Sequence, residues 1–195
     1  AFFELLASGV EIRDIPTFYE MVFRKVPIAE ITEVWFLENQ IGEKRFYDEL
    51  KRGLEFILAL LLILALLPLG ILIALLIKLT SRGHAIYQQV RVGLSSKEFV
   101  LYKFRTMRID AEKGGAKWAE LNDDRTTSLG RFLRYAHLDE LPQLINILRG
   151  ELSFTGPRPE RPEFVKLLET EIPYYNIRYL IKPGLTGWAQ INYRY

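Results

Sequence analysis

The sequence predicts a membrane-associated α+β protein: an apolar helix, broken by a proline and folded back as a re-entrant hairpin, leads into a mostly helical domain with one small β-hairpin. Three observations predict it. Residues 54–77 are apolar except for Glu55, a run above the roughly 20 residues that a membrane helix requires. Residues 85–92 (AIYQQVRV) and 99–107 (FVLYKFRTM) have strand composition and flank a turn, Gly93-Leu-Ser-Ser-Lys-Glu. Finally, Leu141, Leu144, Ile145 and Leu148 recur at helical spacing between Pro142, tolerated in a first turn, and the stop signal Gly150.

Composition narrows the chemistry. The 195 residues suffice for one substantial domain and an appendage. With 26 Lys and Arg against 24 Asp and Glu, the formal charge of +2 does not point to nucleic acid as a partner. There is no cysteine, which excludes disulfides, zinc-thiolate sites and cysteine nucleophiles. His84 and His137 are the only histidines. Any metal is therefore held mainly by oxygen, which favours magnesium or manganese.

Residues 1–45 alternate in a way that fits the tail of a preceding α/β domain and a linker: helix over 2–6, a strand over 10–12, and a helix over 18–22 introduced by Pro16-Thr17. The start without methionine reads as a cut from a longer chain. Residues 43–52 form a charged amphipathic lead-in with Phe46, Tyr47 and Leu50 on one side, suited to a membrane surface. As one straight helix, residues 54–77 would reach roughly 36 Å, enough to cross a bilayer. Pro68, with Gly70 close behind, interrupts the run and leaves a first arm, 54–67, of only about 21 Å. Lys44, Arg45, Lys51 and Arg52 precede it, and Lys78, Arg82, Arg91 and Lys97 follow. That symmetry suits a hairpin with both ends in the cytoplasm better than a crossing, for which the alternative is a single-pass helix kinked at Pro68.

In the second strand, alternation places Lys103, Arg105 and Met107 on one face and Tyr102, Phe104 and Thr106 on the other. Two cations on one face suit a phosphate, or a solvated edge. Residues 110–121 read as an exposed helix weakened by Gly114-Gly115. Asp123-Asp124 in the polar loop after it can hold a divalent cation or merely form a turn. A short helix over 129–135 brings Arg131 and Arg134 toward Asp139.

Asp139 and Glu140 stand at the entrance to the 141–148 helix, where free N–H groups and the helix dipole keep a carboxylate ionised and welcome a phosphate. A simple cap followed by a first-turn glutamate has the same pattern. In Phe154-Thr-Gly-Pro157-Arg158-Pro159-Glu160 the prolines fix the backbone and present Arg158, a residue suited to bidentate phosphate contacts. A helix over 162–171 follows, ended by Pro173-Tyr174-Tyr175. In Pro183-Gly-Leu-Thr-Gly-Trp188-Ala-Gln190, turn residues precede an indole and an amide that suit nucleotide packing or a membrane interface.

Several blocks, in this order, resemble the bacterial sugar transferases, the monotopic phosphoglycosyltransferases that start glycan assembly on a polyprenyl phosphate. They are the basic entry and Pro-broken apolar run; Gln89-Val-Arg91-Val-Gly93; Lys103-Phe-Arg105-Thr-Met107; Asp123-Asp-Arg125; Leu133-Arg134 ahead of Leu138-Asp139-Glu140-Leu-Pro-Gln143; Gly156-Pro-Arg158-Pro159; and Pro183-Gly-Leu-Thr-Gly-Trp-Ala-Gln190. The resemblance covers about residues 46–195 and implies a catalytic domain of a long member, C-terminally truncated. It implies transfer of sugar 1-phosphate from a UDP-sugar to polyprenyl (undecaprenyl) phosphate with release of UMP, initiating exopolysaccharide or other glycan assembly. By the same resemblance Asp139 is the nucleophile that carries the phosphosugar. Glu140 works with magnesium, or manganese in its place. Lys103, Arg105, Arg125, Arg134, Arg158 and Gln190 are then the candidates for holding donor and phosphate. The implied place is the cytoplasmic face of the bacterial inner membrane, with the lipid bilayer as partner and a second copy of the chain as a candidate one.

The chain departs from the family pattern at Leu67, where a serine commonly precedes the proline, at His84 and at Asp124, where proline is common. Two other functions compete: a non-catalytic membrane adaptor of a polysaccharide assembly complex, and a metal-dependent glycosyltransferase built on Asp123-Asp124 that would release UDP.

Overall fold

The computed structural model describes residues 13–38, 45–111, 115 and 123–192. The expected helix over 2–6, the strand over 10–12 and most of the helix over 110–121 lie outside them. The chain divides into two units, residues 1–44 and 45–195.

In the first unit, α1 (Ile15–Phe23) begins at Pro16, whose fixed φ suits a first turn, and stops at Arg24 in the left-handed region. It is the helix expected over 18–22, begun earlier by that proline. A 3-10 turn at Ile28–Glu30 leads to α2 (Glu33–Glu38), and Trp35 Nε1 donates to Thr17 Oγ1 at 3.1 Å.

The second unit is mixed helix and small sheets, led by α3 (Arg45–Thr80), 36 residues long. Glu55, Ala59, Ile73 and Ile77 are buried along it, with Leu62, Ile63 and Leu69 packed beside them. These residues recur every three or four positions, so one stripe of the helix faces the domain over most of its length. Leu54, Ile57, Leu61, Leu64, Leu67, Ile71, Leu75 and Leu79 are exposed on the remaining surface. Among the described residues α3 is the one helix long and apolar enough to cross a membrane.

Pro68 lies inside α3 and the helix continues through it, so the expected break is not a helix end. Proline removes one N–H from the ladder. Because Pro68 is exposed, that gap lies away from the packed stripe, and contacts on both sides of it keep the backbone helical.

β1 (Ile86–Val92) and β2 (Glu98–Phe104) form the expected antiparallel hairpin, in register from Ile86 opposite Phe104 to Val92 opposite Glu98. The second strand is shorter than expected. Beyond Phe104, Met107 forms only an isolated bridge with Thr126. α4 (Ser128–Tyr135) is capped by Thr127, whose Oγ1 accepts from Gly130 N at 2.9 Å. Gly130 is pressed on the chain at Thr106, where a Cβ would stand 2.0 Å from the Thr106 carbonyl oxygen.

A 3-10 turn (Leu138–Gln143) precedes α5 (Leu144–Arg149), which ends at Gly150 with φ 80°. Thus Asp139 and Glu140 lie in a tight turn leading into the helix rather than in its own first turn. Proline disfavours α geometry at the residue before it, here Leu141, which accounts for the delayed start.

β3 (Ser153–Thr155), α6 (Pro162–Glu171), a 3-10 turn (Tyr175–Leu180), β4 (Gly184–Thr186) and α7 (Trp188–Asn192) complete the chain. β3 and β4 pair in parallel, a second sheet not anticipated from the sequence. Two apolar clusters hold the domain on α3. One joins Ala59 to Leu101, Leu144, Ile147 and Leu152; the other joins Ile73 and Ile77 to Ala85, Phe104 and Leu133.

Candidate active site

The chemistry converges on the turn between α4 and α5. Its entry residue, His137, has φ 54°, a left-handed conformation that turns the chain sharply before the two carboxylates. Lys103, on β2, places Nζ 3.1 Å from Glu140 Oε1, and Arg158, in the loop after β3, places Nη2 3.4 Å from the same oxygen. Asp139 is 8% exposed.

The two neighbouring carboxyls are driven apart. Burial pushes the Asp139 carboxyl up from its ordinary value, and the Glu140 charge adds to this, against the pull of Lys103 and Arg134. Burial would raise Glu140 too, but Lys103 and then Arg158 outweigh it and hold that carboxyl below its ordinary value. Burial also lowers the Lys103 ammonium, with Glu140 opposing the shift. The same neighbourhood thus shifts the two carboxyls in opposite directions. Glu140 is a fixed anion tied to cations, whereas Asp139 is the more basic carboxylate and, once ionised, the better nucleophile.

Lys103, Arg158, Asp139 and Glu140 are therefore brought together. Arg134 stands beside them and acts on Asp139 through its charge, while its Nε donates to Thr106 Oγ1 at 3.0 Å and its Nη1 to Thr126 Oγ1 at 3.2 Å. Arg105 is placed elsewhere. Once β2 ends, its Nη2 donates to Ser81 Oγ at 2.7 Å and to Ser81 O at 3.2 Å, just beyond α3. The shared face expected for Lys103 and Arg105 ends with the strand. Arg125 is clamped by Asp123, with Nε to Oδ1 at 2.7 Å and Nη2 to Oδ2 at 2.5 Å, so Asp123 braces an arginine. Gln190 Nε2 donates to Leu185 O at 3.1 Å, and its Oε1 is buried without a hydrogen-bond partner.

Among the described residues no group of three or more His, Asp or Glu side chains forms a metal cage. Magnesium, however, is commonly held by one or two carboxylates together with substrate phosphates. The Asp139-Glu140 pair fits that kind of site, in which the anionic substrate completes the ligand set.

Asn146 is fully buried in α5. Its Nδ2 donates to Val100 O and to Glu151 Oε2, each at 2.7 Å, and its Oδ1 accepts from Tyr102 N at 3.2 Å. It ties the backbone just before Lys103 to the helix behind Glu140. An asparagine within an apolar helical stripe was the available signal, and sequence reasoning passed over it.

Comparison with known proteins places the chain in a family. The description "Bacterial sugar transferase" belongs to the family whose profile matches residues 46–195. The UDP-N-acetylgalactosamine-undecaprenyl-phosphate N-acetylgalactosaminephosphotransferase of Aeromonas hydrophila is 41% identical over 161 residues, 81% of this chain and 38% of that protein. A putative undecaprenyl-phosphate N-acetylgalactosaminyl 1-phosphate transferase of Bacillus subtilis (strain 168) is 47% identical over 132 residues, 68% of this chain and 74% of that protein. The UDP-glucose:undecaprenyl-phosphate glucose-1-phosphate transferase of Escherichia coli (strain K12) is 43% identical over 143 residues, 73% of this chain and 31% of that protein. The chain thus spans about a third of the Aeromonas and Escherichia relatives. From its profile match and these identities, the chain belongs to the bacterial sugar transferase family.

Proposed function

We propose that this protein transfers a sugar 1-phosphate from a UDP-sugar to a polyprenyl phosphate such as undecaprenyl phosphate, through a covalent phosphosugar on Asp139. The observation that carries the reading is the arrangement of the carboxyls: Asp139 buried, and Glu140 beside it paired with Lys103 Nζ at 3.1 Å and Arg158 Nη2 at 3.4 Å. The names of the relatives support the reaction class, since each carries a sugar phosphate to undecaprenyl phosphate.

In the first step an Asp139 carboxylate oxygen attacks the sugar-bearing phosphorus. The bond from that phosphorus to the bridging oxygen breaks, and UMP leaves with the oxygen. In the second step a phosphate oxygen of the polyprenyl acceptor attacks the same phosphorus and frees the carboxylate, giving polyprenyl-diphosphate-sugar. An anion attacking a diphosphate meets repulsion, which Lys103, Arg158 and Arg134 offset. Glu140, with Asp139, would hold magnesium, which when bound supplies further positive charge against the diphosphate.

The apolar outer surface of α3 is the proposed seat on the bilayer. Both halves of the helix, before and after Pro68, pack on the same domain. That arrangement favours a re-entrant course with both ends on the cytoplasmic side, where UDP-sugars are available, over a crossing. There the product would start an exopolysaccharide or another glycan.

The test is Asp139→Asn in the full-length protein, incubated with a panel of UDP-sugars, undecaprenyl phosphate and magnesium. The wild type should release UMP, not UDP, and show the phosphosugar mass on the peptide containing Asp139 when acceptor is withheld. The variant should do neither. UMP release by Asp139→Asn at the wild-type rate would remove the nucleophile assignment.

A further inference from the structure

Pro157-Arg158-Pro159-Glu160 belongs to no helix or strand, yet every one of its four carbonyls accepts a hydrogen bond. Gly184 N donates to Pro157 O at 2.9 Å, Arg178 Nη2 to Arg158 O at 2.6 Å, Arg91 Nη1 to Pro159 O at 3.0 Å and Val92 N to Glu160 O at 2.9 Å. Four donors from three places in the chain, β1 supplying two of them, fix four consecutive carbonyls. Two of those donors are arginine side chains that take no part in the ion pairs at Glu140.

Each arginine is itself anchored. The Arg178 guanidinium lies 4.7 Å from the centroid of the Tyr175 ring and donates to the Tyr175 hydroxyl. Arg91 donates from Nε to Gln89 Oε1 at 3.0 Å, and its Nη1 lies 3.5 Å from Glu160 Oε2. A guanidinium can serve several acceptors in one plane and stack on a ring at the same time, which an ammonium cannot. With Pro157 and Pro159 fixing φ on both sides, Arg158 has little backbone freedom left.

We propose that Arg178 and Arg91 are positioning residues: they hold the backbone around Arg158 so that its guanidinium is aimed at the donor diphosphate, and they act on binding through Arg158 alone. The inference rests on the reading of Arg158 as a diphosphate contact. Preorganisation of this kind improves affinity by cutting the ordering cost on binding.

The test uses the full-length protein and UDP with magnesium as probe. Binding is followed by calorimetry for Arg158→Gln, Arg178→Gln and the double variant, with hydrogen exchange of the peptide over 157–164 as a second readout. Arg158→Gln and Arg178→Gln should each weaken UDP by roughly ten-fold, and the double variant should be no weaker than Arg158→Gln. Exchange over 157–164 should rise in Arg178→Gln and in Arg91→Gln while the β1–β2 hairpin stays protected. Arg178→Lys, a milder change, should give a smaller loss that likewise vanishes in the Arg158→Gln background.

Additive losses in the double variant, or unchanged exchange over 157–164, would overturn the positioning role and leave the diphosphate reading of Arg158 standing. Unchanged UDP binding by Arg158→Gln would instead remove that reading, and this inference with it.

Discussion

Glu55, the one charged residue of the apolar run, accepts a hydrogen bond from the hydroxyl of Ser153, both side chains being buried between α3 and β3. The same carboxylate accepts from Phe154 N at 3.2 Å, and Lys51 Nζ lies 3.8 Å away. Glu55→Leu would make the run uniformly apolar, and by composition alone it should improve a membrane helix. In this packing it removes the acceptor of the Ser153 O–H and of the Phe154 N–H, at a cost of about 1–3 kcal/mol. Thermal unfolding in detergent should therefore show Glu55→Leu below wild type and Glu55→Gln, which keeps an acceptor oxygen, between them. A leucine variant as stable as wild type would show that the latch is not needed.

The β1–β2 connection carries two consecutive serines with left-handed backbone, Ser95 at φ 54° and Ser96 at φ 58°. That conformation costs an ordinary L-residue about 1–2 kcal/mol, which glycine avoids while losing part of the gain to unfolded-chain entropy. Ser96→Gly should stabilise the protein by about 0.5–1 kcal/mol. Because Ser96 is exposed at a turn tip, UMP release should not change. Denaturant midpoints of the two proteins decide the matter.

What could be read from the sequence follows the length over which a signal repeats. The 162–171 helix was expected at its observed bounds, since Pro162 marks a first turn and Phe164, Val165, Leu167 and Leu168 repeat behind it. The β1–β2 hairpin was legible for the same reason. β3 and β4 are three residues each, too short for alternation, and they pair across the whole of α6. In the site, charge and motif order picked out Lys103 and Arg158, which meet at Glu140, but alternation was carried past Phe104 to Arg105 because nothing local announces that β2 ends there. The parts played by Arg91, Arg178 and Asn146 escaped for another reason: each reaches the site through a backbone carbonyl or N–H group, which carries no residue signature.

The parallel pair is also one of the tightest points in the fold, with Gly130 at Thr106. A Cβ on Gly184 would stand 2.0 Å from Gly156 N, and the nearest atoms all belong to backbone, so no side chain can yield. Gly184→Ala should separate β4 from β3 and cost about 1–3 kcal/mol or more in stability. It should also weaken UDP binding, because Gly184 N holds the Pro157 carbonyl next to Arg158. A wild-type melting temperature in Gly184→Ala would mean that the two strands have room to part.

Lys103 and Arg105 are two residues apart, and the structure gives them different partners. Lys103→Met removes a cation from Glu140 and should weaken UDP binding by roughly ten-fold, in keeping with loss of a charge-assisted contact. Arg105→Gln breaks the bonds to Ser81 and should lower stability by about 1 kcal/mol, with UDP affinity changed less than about two-fold. Calorimetric titration with UDP and a parallel melting curve separate the two. Equal losses of affinity would return Arg105 to the phosphate site.

Asp123 offers a pH test of the loop before α4. Hydrogen bonds from Arg125 hold its carboxyl at about 2, below the ordinary 3.8, with burial opposing them. Since the folded value is the lower one, the ionised form is bound more tightly by the fold than by the unfolded chain. Its contribution to stability is therefore complete above about pH 4 and is lost as the pH falls through about 2. Asp123→Asn lacks the titrating group, so wild type should be the more stable protein near neutrality and their urea midpoints should converge between about pH 4 and pH 2. A gap that stays constant across that range would mean that Asp123 braces Arg125 through shape rather than charge. Arg125 takes both carboxylate oxygens of Asp123, whereas Lys103 and Arg158 meet at Oε1 of Glu140, so magnesium should leave the midpoint of a folded Asp139→Asn, Glu140→Gln double variant unchanged.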